Sequence, residues 1–208
     1  MKDFYKKIKA ELNLRDATLI AVSKKQPVYK INKAKELGIT HFGENYIQEA
    51  LNKINKGAFL GCTTHFIGHL QTNKTKDAVT HFDFIHSVDR LKLIKNIDKE
   101  AKKLGKIQNI FIHVKTHQDD NKSGCSLNEV EDLILYIKNN CPHIHLCGLM
   151  CIPSLQIKPE ESFKIIAELM EKHQLKDASM GMSGDYKEAL KHGATFVRVG
   201  TALFGDRS

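Results

Sequence analysis

Long apolar runs are missing from this 208-residue chain. No uninterrupted hydrophobic segment approaches the ~20 residues that a bilayer-spanning helix needs, so no membrane span is expected. The opening "MKDFYKKIKAELNL" mixes acids with bases and lacks an apolar h-region. A secretory signal peptide is therefore not expected, and the cytoplasm is the default compartment. Five cysteines are present, but no CxxC pair. Cys147 and Cys151 flank "GLM" on a predicted strand, where a rise of ~3.3 Å per residue sets them roughly 13 Å apart, too far for a disulfide. Free thiols in a reducing compartment are the expectation. His143 and His145 in "CPHIHLC" have no third ligand at a recognisable spacing, which argues against zinc. Linkers and low-complexity segments are lacking too, so a single domain over residues 1–208 is expected.

What is present reads as an ordinary globular chain, with 41% hydrophobic and 27% charged residues. A formal net charge of +8 suits an anionic partner. The lysines, however, are spread through "KKIKAE", "KINKAKE", "KNIDKEAKK" and "HVKTH", largely at helical spacing with acids between. That distribution describes solvated helix faces, and no nucleic-acid partner is expected.

Eight short β-rich runs recur: "TLIAV" (18–22), "THFG" (40–43), "THFIG" (64–68), "DFIHSV" (83–88), "NIFIHV" (109–114), "HLCGLM" (145–150), "ASMGM" (178–182) and "FVRVG" (196–200). Most gaps between them carry a helical pattern, and several of these patterns end in glycine, as helix C-termini often do. The gap "HLQTNKTKDAVTH" gives only a weak helix signal. Alternating strands and helices imply parallel βαβ units. Eight units in about 200 residues fit a compact α/β fold, a (β/α)8 barrel of the TIM type. An open doubly wound sheet is the alternative.

In a barrel, chemistry sits where strands end. Those ends are Ser23 and Lys24, Glu44 and Asn45, His69, Ser87 and Asp89, Lys115, Cys151, Ser183, and Gly200 with Thr201. The last two loops, "SMGMSGDYKEAL" and "VRVGTALFG", combine glycine with hydroxyl residues, and the first runs into a helix start. Small residues let backbone N–H groups approach an anion, while hydroxyls and a helix end add donors, so the two loops suit a phosphate. Glycines after strands also serve ordinary tight turns. Lys24 closes the first strand, the neighbour of the eighth in a shut barrel. A primary amine beside a phosphate cradle can hold an aldehyde phosphate as a Schiff base. Pyridoxal 5′-phosphate is one candidate, and a sugar phosphate in an aldolase is another. Arg198, deeper in the eighth strand, could face a ring nitrogen or serve as a structural donor.

The segments "AVSKKQP", "HFGENYIQEA", "HFIGHLQTNK", "HSVDR", "NKSGC", "GLMCIP" and "SMGMSGDYKEALKHGATFVRVGTALFG" resemble the pyridoxal phosphate homeostasis proteins, relatives of the N-terminal barrel of alanine racemases. In that family's order they span Thr18 to Arg207. The resemblance implies a cytoplasmic, mostly monomeric (β/α)8 barrel that carries pyridoxal 5′-phosphate on a lysine. By position, Lys24 would be the Schiff-base lysine. Ser183, Gly200, Thr201 and the backbone of Met182 would hold the phosphate. Arg198 would meet the pyridine nitrogen, and Asn45, His69 and Ser87 would line the ring pocket.

Two residues depart from the family pattern. Lys25 stands where threonine is common. Pointing outward, it is an exposed charge; turned inward, it would depress the pKa of Lys24 by like-charge repulsion. Lys115 stands where asparagine is frequent, so no ring contact is expected from that strand. Racemisation needs acid–base groups on both faces of a substrate. Racemases with this barrel draw the second, a tyrosine, from a further domain, for which no room is expected after Ser208. The five tyrosines of this chain fall in predicted helices or at their starts. The expected function is thus storage, buffering or delivery of the cofactor, with apo-enzymes as transient recipients and a low-activity amino-acid racemase as the alternative.

Overall fold

The computed structural model describes residues 1–117, 123–154 and 157–205. Asn121 and Lys122 of "NKSGC", and Arg207, lie outside them. Eight parallel strands close into a barrel in sequential order: β1 Thr18–Val22, β2 His41–Glu44, β3 Thr63–Phe66, β4 Phe84–Val88, β5 Gln108–His113, β6 Ile144–Met150, β7 Asp177–Ser179 and β8 Phe196–Val199. Pairing of Thr18–Ala21 with Phe196–Val199 shuts the barrel and excludes the open sheet. The helices are α1 Lys2–Asn13, α2 Val28–Glu36, α3 Ile47–Ile54, α4 Thr75–His81, α5 Leu91–Lys103, α6 Val130–Asn140, α7 Pro159–His173, α8 Tyr186–Lys191 and α9 Thr201–Phe204.

Each expected strand is present, with its ends displaced by a few residues at most. The largest difference is β7, which stops at Ser179 because Gly181 adopts φ +87°, a conformation no strand continues through. The chain nevertheless stays tied to β8: Met180 N–H donates to Phe196 O, and Arg198 N–H donates to Gly181 O. The weak signal after β3 is realised as α4, preceded by a 3-10 turn at Thr72–Lys74. Gly38 and Gly105, at φ +89° and +63°, follow α2 and α5 as left-handed C-terminal glycines.

Alternation along the strands divides the apolar residues into two sets. Outward ones, such as Leu19 and Ala21 of β1, join the helices in one continuous core, α1 contributing Tyr5, Ile8 and Leu12 from one face. Each fully buried aliphatic or aromatic side chain there contributes about 1.5–3 kcal/mol. A second set inside the barrel gathers Phe111, Cys147 and Met150 with Phe84 and Phe196. All five cysteines are free thiols, as expected. Among the described residues no helix is long and apolar enough to cross a membrane.

Candidate functional site

The site begins at the turn that ends β1. Gln26 N–H donates to Ser23 O at 3.0 Å, folding the chain back on itself. Lys25 takes φ +58°, an uncommon conformation for a residue with a side chain, and its N–H is received by the Glu49 carboxylate. Beneath the turn lies a buried ion cluster. Lys53 Nζ reaches Ser23 O at 2.7 Å, Glu44 Oε1 at 2.7 Å and Glu49 Oε1 at 2.6 Å, while Ser23 Oγ donates to Glu44 Oε1 at 2.7 Å. Burial raises the pKa of Glu44 against the pull of Lys53 and Ser23. Two elements, β2 through Glu44 and α3 through Glu49 and Lys53, are thereby bolted to the segment that presents Lys24. The side chain of Lys25 is exposed and lines a neighbouring cavity with Glu49, Lys53 and Lys56, so it lies outside the cavity that Lys24 lines.

That second cavity, of about 290 Å³, opens at the C-terminal ends of the strands. It brings together Lys24, Asn45, Met182, Ser183, Arg198, Gly200 and Thr201, contributed by β1, β2, β7, β8 and the loops behind them. His69 is exposed and lines an adjoining cavity, which shares Asn45 and includes Tyr46 and Lys74. Ser87 is buried on β4 at the irregularity between Ile85 and Val88 and does not line the Lys24 cavity. Glu44 faces the ion cluster instead of the cavity. Lining residues beyond those expected are Val22, Gln26, Ile67, Ile152 and Gly184. Alternation from Lys24 and from His65 could have found Val22 and Ile67. Gln26 and Ile152 sit on loops, where no period exists to betray them.

Arg198 is buried, and its guanidinium donates to Ser179 O at 2.6 Å, Ser179 Oγ at 2.8 Å and Cys151 O at 2.8 Å. All three acceptors are neutral. No carboxylate of the described residues pairs with it, and burial lowers its pKa. Buried polar atoms near the strand ends also go unmatched: Asn45 Oδ1, Ser87 Oγ and His113 Nδ1 have no hydrogen-bond partner among the described residues. Native interiors rarely leave such atoms orphaned, and a polar ligand is one way of satisfying them. Burial, with Arg198 next in effect, pushes His113 down to about 4.

The two glycine–hydroxyl loops meet at this cavity. A β-carbon on Gly200 would stand 3.4 Å from Val22, and one on Gly181 only 2.6 Å from Ala189 Cβ. The helices behind them are short, six residues in α8 and four in α9, so their dipoles add less than the sequence implied. Met182 N–H already donates to the Asp185 carboxylate. Anion binding here would rest on hydroxyls and local backbone. With an amine, a buried cation, two hydroxyl residues and the unmatched Asn45 amide oxygen around one cavity, the arrangement can hold a small anionic carbonyl compound.

A profile of the family described as alanine racemase, N-terminal domain, matches residues 1–208. The chain is 41% identical over 201 residues to the pyridoxal phosphate homeostasis protein of Pasteurella multocida, covering 91% of this chain and 86% of that one. It is 39% identical over 194 residues to the protein of the same name from Pseudomonas aeruginosa, covering 91% and 84%. Its structure is similar to that of PipY from Synechococcus elongatus PCC7942, solved with PLP bound, with a TM-score of 0.90, 34% identity, and coverage of 98% and 99%. Alanine racemase of Clostridium difficile shares the barrel alone, at 14% identity and a TM-score of 0.76. The chain therefore belongs to the pyridoxal phosphate homeostasis protein family, on the barrel of the alanine racemase N-terminal domain.

Proposed function

We propose that this protein is a cytoplasmic, monomeric, single-domain carrier of pyridoxal 5′-phosphate, holding the cofactor as a Schiff base on Lys24 and releasing it to other amines. One observation carries the reading: a single cavity gathers the Lys24 amine, the Ser183 and Thr201 hydroxyls and the Arg198 guanidinium. The ligand that PipY holds in its solved structure supports it. When bound, the cofactor supplies an aldehyde that condenses reversibly with a primary amine.

Everything else is done by the chain. The turn anchored on Glu44, Glu49 and Lys53 holds the Lys24 backbone, while the half-exposed Lys24 side chain leaves room for a competing amine. Ser183, Thr201 and Gly200 would hold the phosphate, with Met182 N–H joining if Asp185 gives it up. Arg198 would donate to the pyridine nitrogen, which then takes no proton of its own and withdraws electrons weakly. Asn45 would offer its unmatched Oδ1 to the ring. His69 and Ser87, which line no part of this cavity, would reach the ring only by a movement of their segments. Weak electron withdrawal suits a carrier better than a racemase, and none of the five tyrosines lines the cavity. Apo-forms of enzymes that use the cofactor are the natural recipients.

Borohydride reduction of the purified protein, followed by peptide mass mapping, tests this directly. The expected product is a pyridoxyl phosphate adduct on the peptide bearing Lys24. A protein that takes up no cofactor, or is modified elsewhere, refutes the reading. Steady-state racemisation of D- or L-amino acids would replace the carrier with the racemase.

A further inference from the structure

Three histidines run up the inside of the barrel on adjacent strands. His41 Nδ1 lies 2.9 Å from His65 Nε2, His65 Nδ1 lies 2.9 Å from His86 Nε2, and His86 Nδ1 lies 2.9 Å from Ser179 Oγ. Ser179 Oγ in turn receives Arg198 at 2.8 Å. The rings are clamped in place: His65 stacks on Phe84 with centroids 4.7 Å apart, and His86 stacks on Phe111 at 4.3 Å. The chain thus leads from half-buried His41, at the opposite end of its strand from the Lys24 cavity, to Arg198 at that cavity.

The direction of every hydrogen in the chain follows from its Arg198 end. Arginine only donates, so Ser179 Oγ must accept from it. Ser179 is fully buried, and its own hydrogen therefore needs an acceptor, which His86 Nδ1 provides. A neutral His86 then carries its hydrogen on Nε2 and donates to His65 Nδ1. His65 likewise donates from Nε2 to His41 Nδ1. The opposite order would leave the Ser179 hydroxyl between two donors with its own hydrogen unplaced. Burial holds His65 and His86 neutral, and a proton on either is opposed further by the adjoining imidazole, and at His86 by the Arg198 cation as well. The charged group facing His41 is Asp83.

This order has an electrostatic consequence. In the Nε2–H form each imidazole turns its electron-rich Nδ1 toward the arginine side. Arg198 is hydrogen-bonded to neutral acceptors only, the Asp185 carboxylate acting on it through space, and on this side it thus faces a file of aligned dipoles in place of a paired carboxylate. A carboxylate there would neutralise the cation, whereas dipoles leave its charge available to a ligand. We propose that His41, His65 and His86 form a one-way hydrogen-bond chain that acts through Ser179 as the positioning device of Arg198, fixing the guanidinium and its charge at the cofactor cavity. The inference rests on the reading of the cavity as a pyridoxal phosphate site, and it adds residues that touch neither ligand nor cavity.

Long-range ¹H–¹⁵N correlation of the histidine rings in the cofactor-free protein reads the chain without any ligand. His65 and His86 should both appear as neutral Nε2–H tautomers from pH 5.5 to 8. An Nδ1–H tautomer or a protonated ring at His86 overturns the proposal. The companion test compares His86→Leu with His86→Gln, which keeps an acceptor for Ser179 and a donor for His65. With pyridoxal 5′-phosphate as the probe, His86→Leu should bind about tenfold more weakly and show a shifted visible band, the size expected for one disturbed charge-assisted hydrogen bond. His86→Gln should restore both. Unchanged binding and spectrum in His86→Leu would refute the positioning role. If His86→Leu does not fold, the tautomers of the unmodified protein decide. If the unmodified protein binds no cofactor, the carrier reading falls, while the tautomer result still judges the chain.

Discussion

Gly68 passes so close to the backbone of Asn45 that a β-carbon on it would lie 2.0 Å from the Asn45 carbonyl oxygen. The obstruction is main chain, which cannot rotate aside as a side-chain tip can. Gly68→Ala should cost at least about 3 kcal/mol in urea unfolding, the upper range for overpacking, and should displace Asn45 from the cavity. Gly184→Ala is the control, since nothing lies within 4 Å of its added carbon. Its stability should stay within about 0.5 kcal/mol of the parent.

The cluster under the Lys24 turn makes a second prediction. Side-chain exposure is 7% for Lys53 and 1% for Glu44, so removing one charge strands the other away from water. Lys53→Met should destabilise the protein by about 3–5 kcal/mol at neutral pH. Adding Glu44→Gln should recover part of that loss, a coupling that a double-mutant cycle by urea unfolding would measure. Additive losses would mean the two residues act independently.

How far the chain explains itself depends on the range of the signal. Period-2 alternation is local, so "TLIAV" and "NIFIHV" betray strands, and their ends betray Lys24 and Gly200. Of the two orientations open to Lys25 the structure shows the exposed one, set by a left-handed turn and not by strand alternation. What stayed hidden joins distant segments. His41, His65 and His86 stand 24 and 21 positions apart, and each looks like an unremarkable strand residue until barrel closure stacks them. Lys53 reads as one more surface lysine of a basic helix until Glu44 is seen beside it. The register shifts in β4–β5 and β5–β6 carry no local mark either, so which way Ser87 faces cannot be read from alternation.

The two adjacent lysines should separate cleanly. Lys24 lines the cavity, and Lys25 lines another one on the far side of the turn. Lys24→Ala should abolish the visible absorbance of protein mixed with pyridoxal 5′-phosphate, and Lys25→Ala should keep it. The reverse pattern would move the covalent site by one residue and require the turn to rearrange.

Because α8 and α9 are short, phosphate retention should depend on individual donors more than on helix ends. Ser183→Ala and Thr201→Ala should each weaken cofactor binding by about 1–3 kcal/mol, the range for a lost charge-assisted hydrogen bond. Equilibrium dialysis against pyridoxal 5′-phosphate, with pyridoxal as the non-phosphorylated comparison, separates phosphate recognition from covalent capture. The substitutions should hardly change pyridoxal binding. An undiminished preference for the phosphorylated form in the double variant would place the phosphate elsewhere.

Acid should undo the barrel from inside. His113 is buried with Nδ1 unmatched, and its pKa falls from the ordinary 6.5 to about 4. Between those values the unfolded chain binds a proton that the folded protein refuses, so stability must drop as pH descends through the window. The full difference amounts to about 3 kcal/mol for this residue. His65 and His86, lowered by the same burial, steepen the decline. Above pH 7 all three are neutral in both states, and the dependence should flatten. His113→Leu, of similar volume, removes one titrating group and should make the slope between pH 6.5 and 4 shallower. Urea unfolding midpoints collected across that range measure both slopes, and parallel curves for the two proteins would show that His113 is not among the groups that acid exploits.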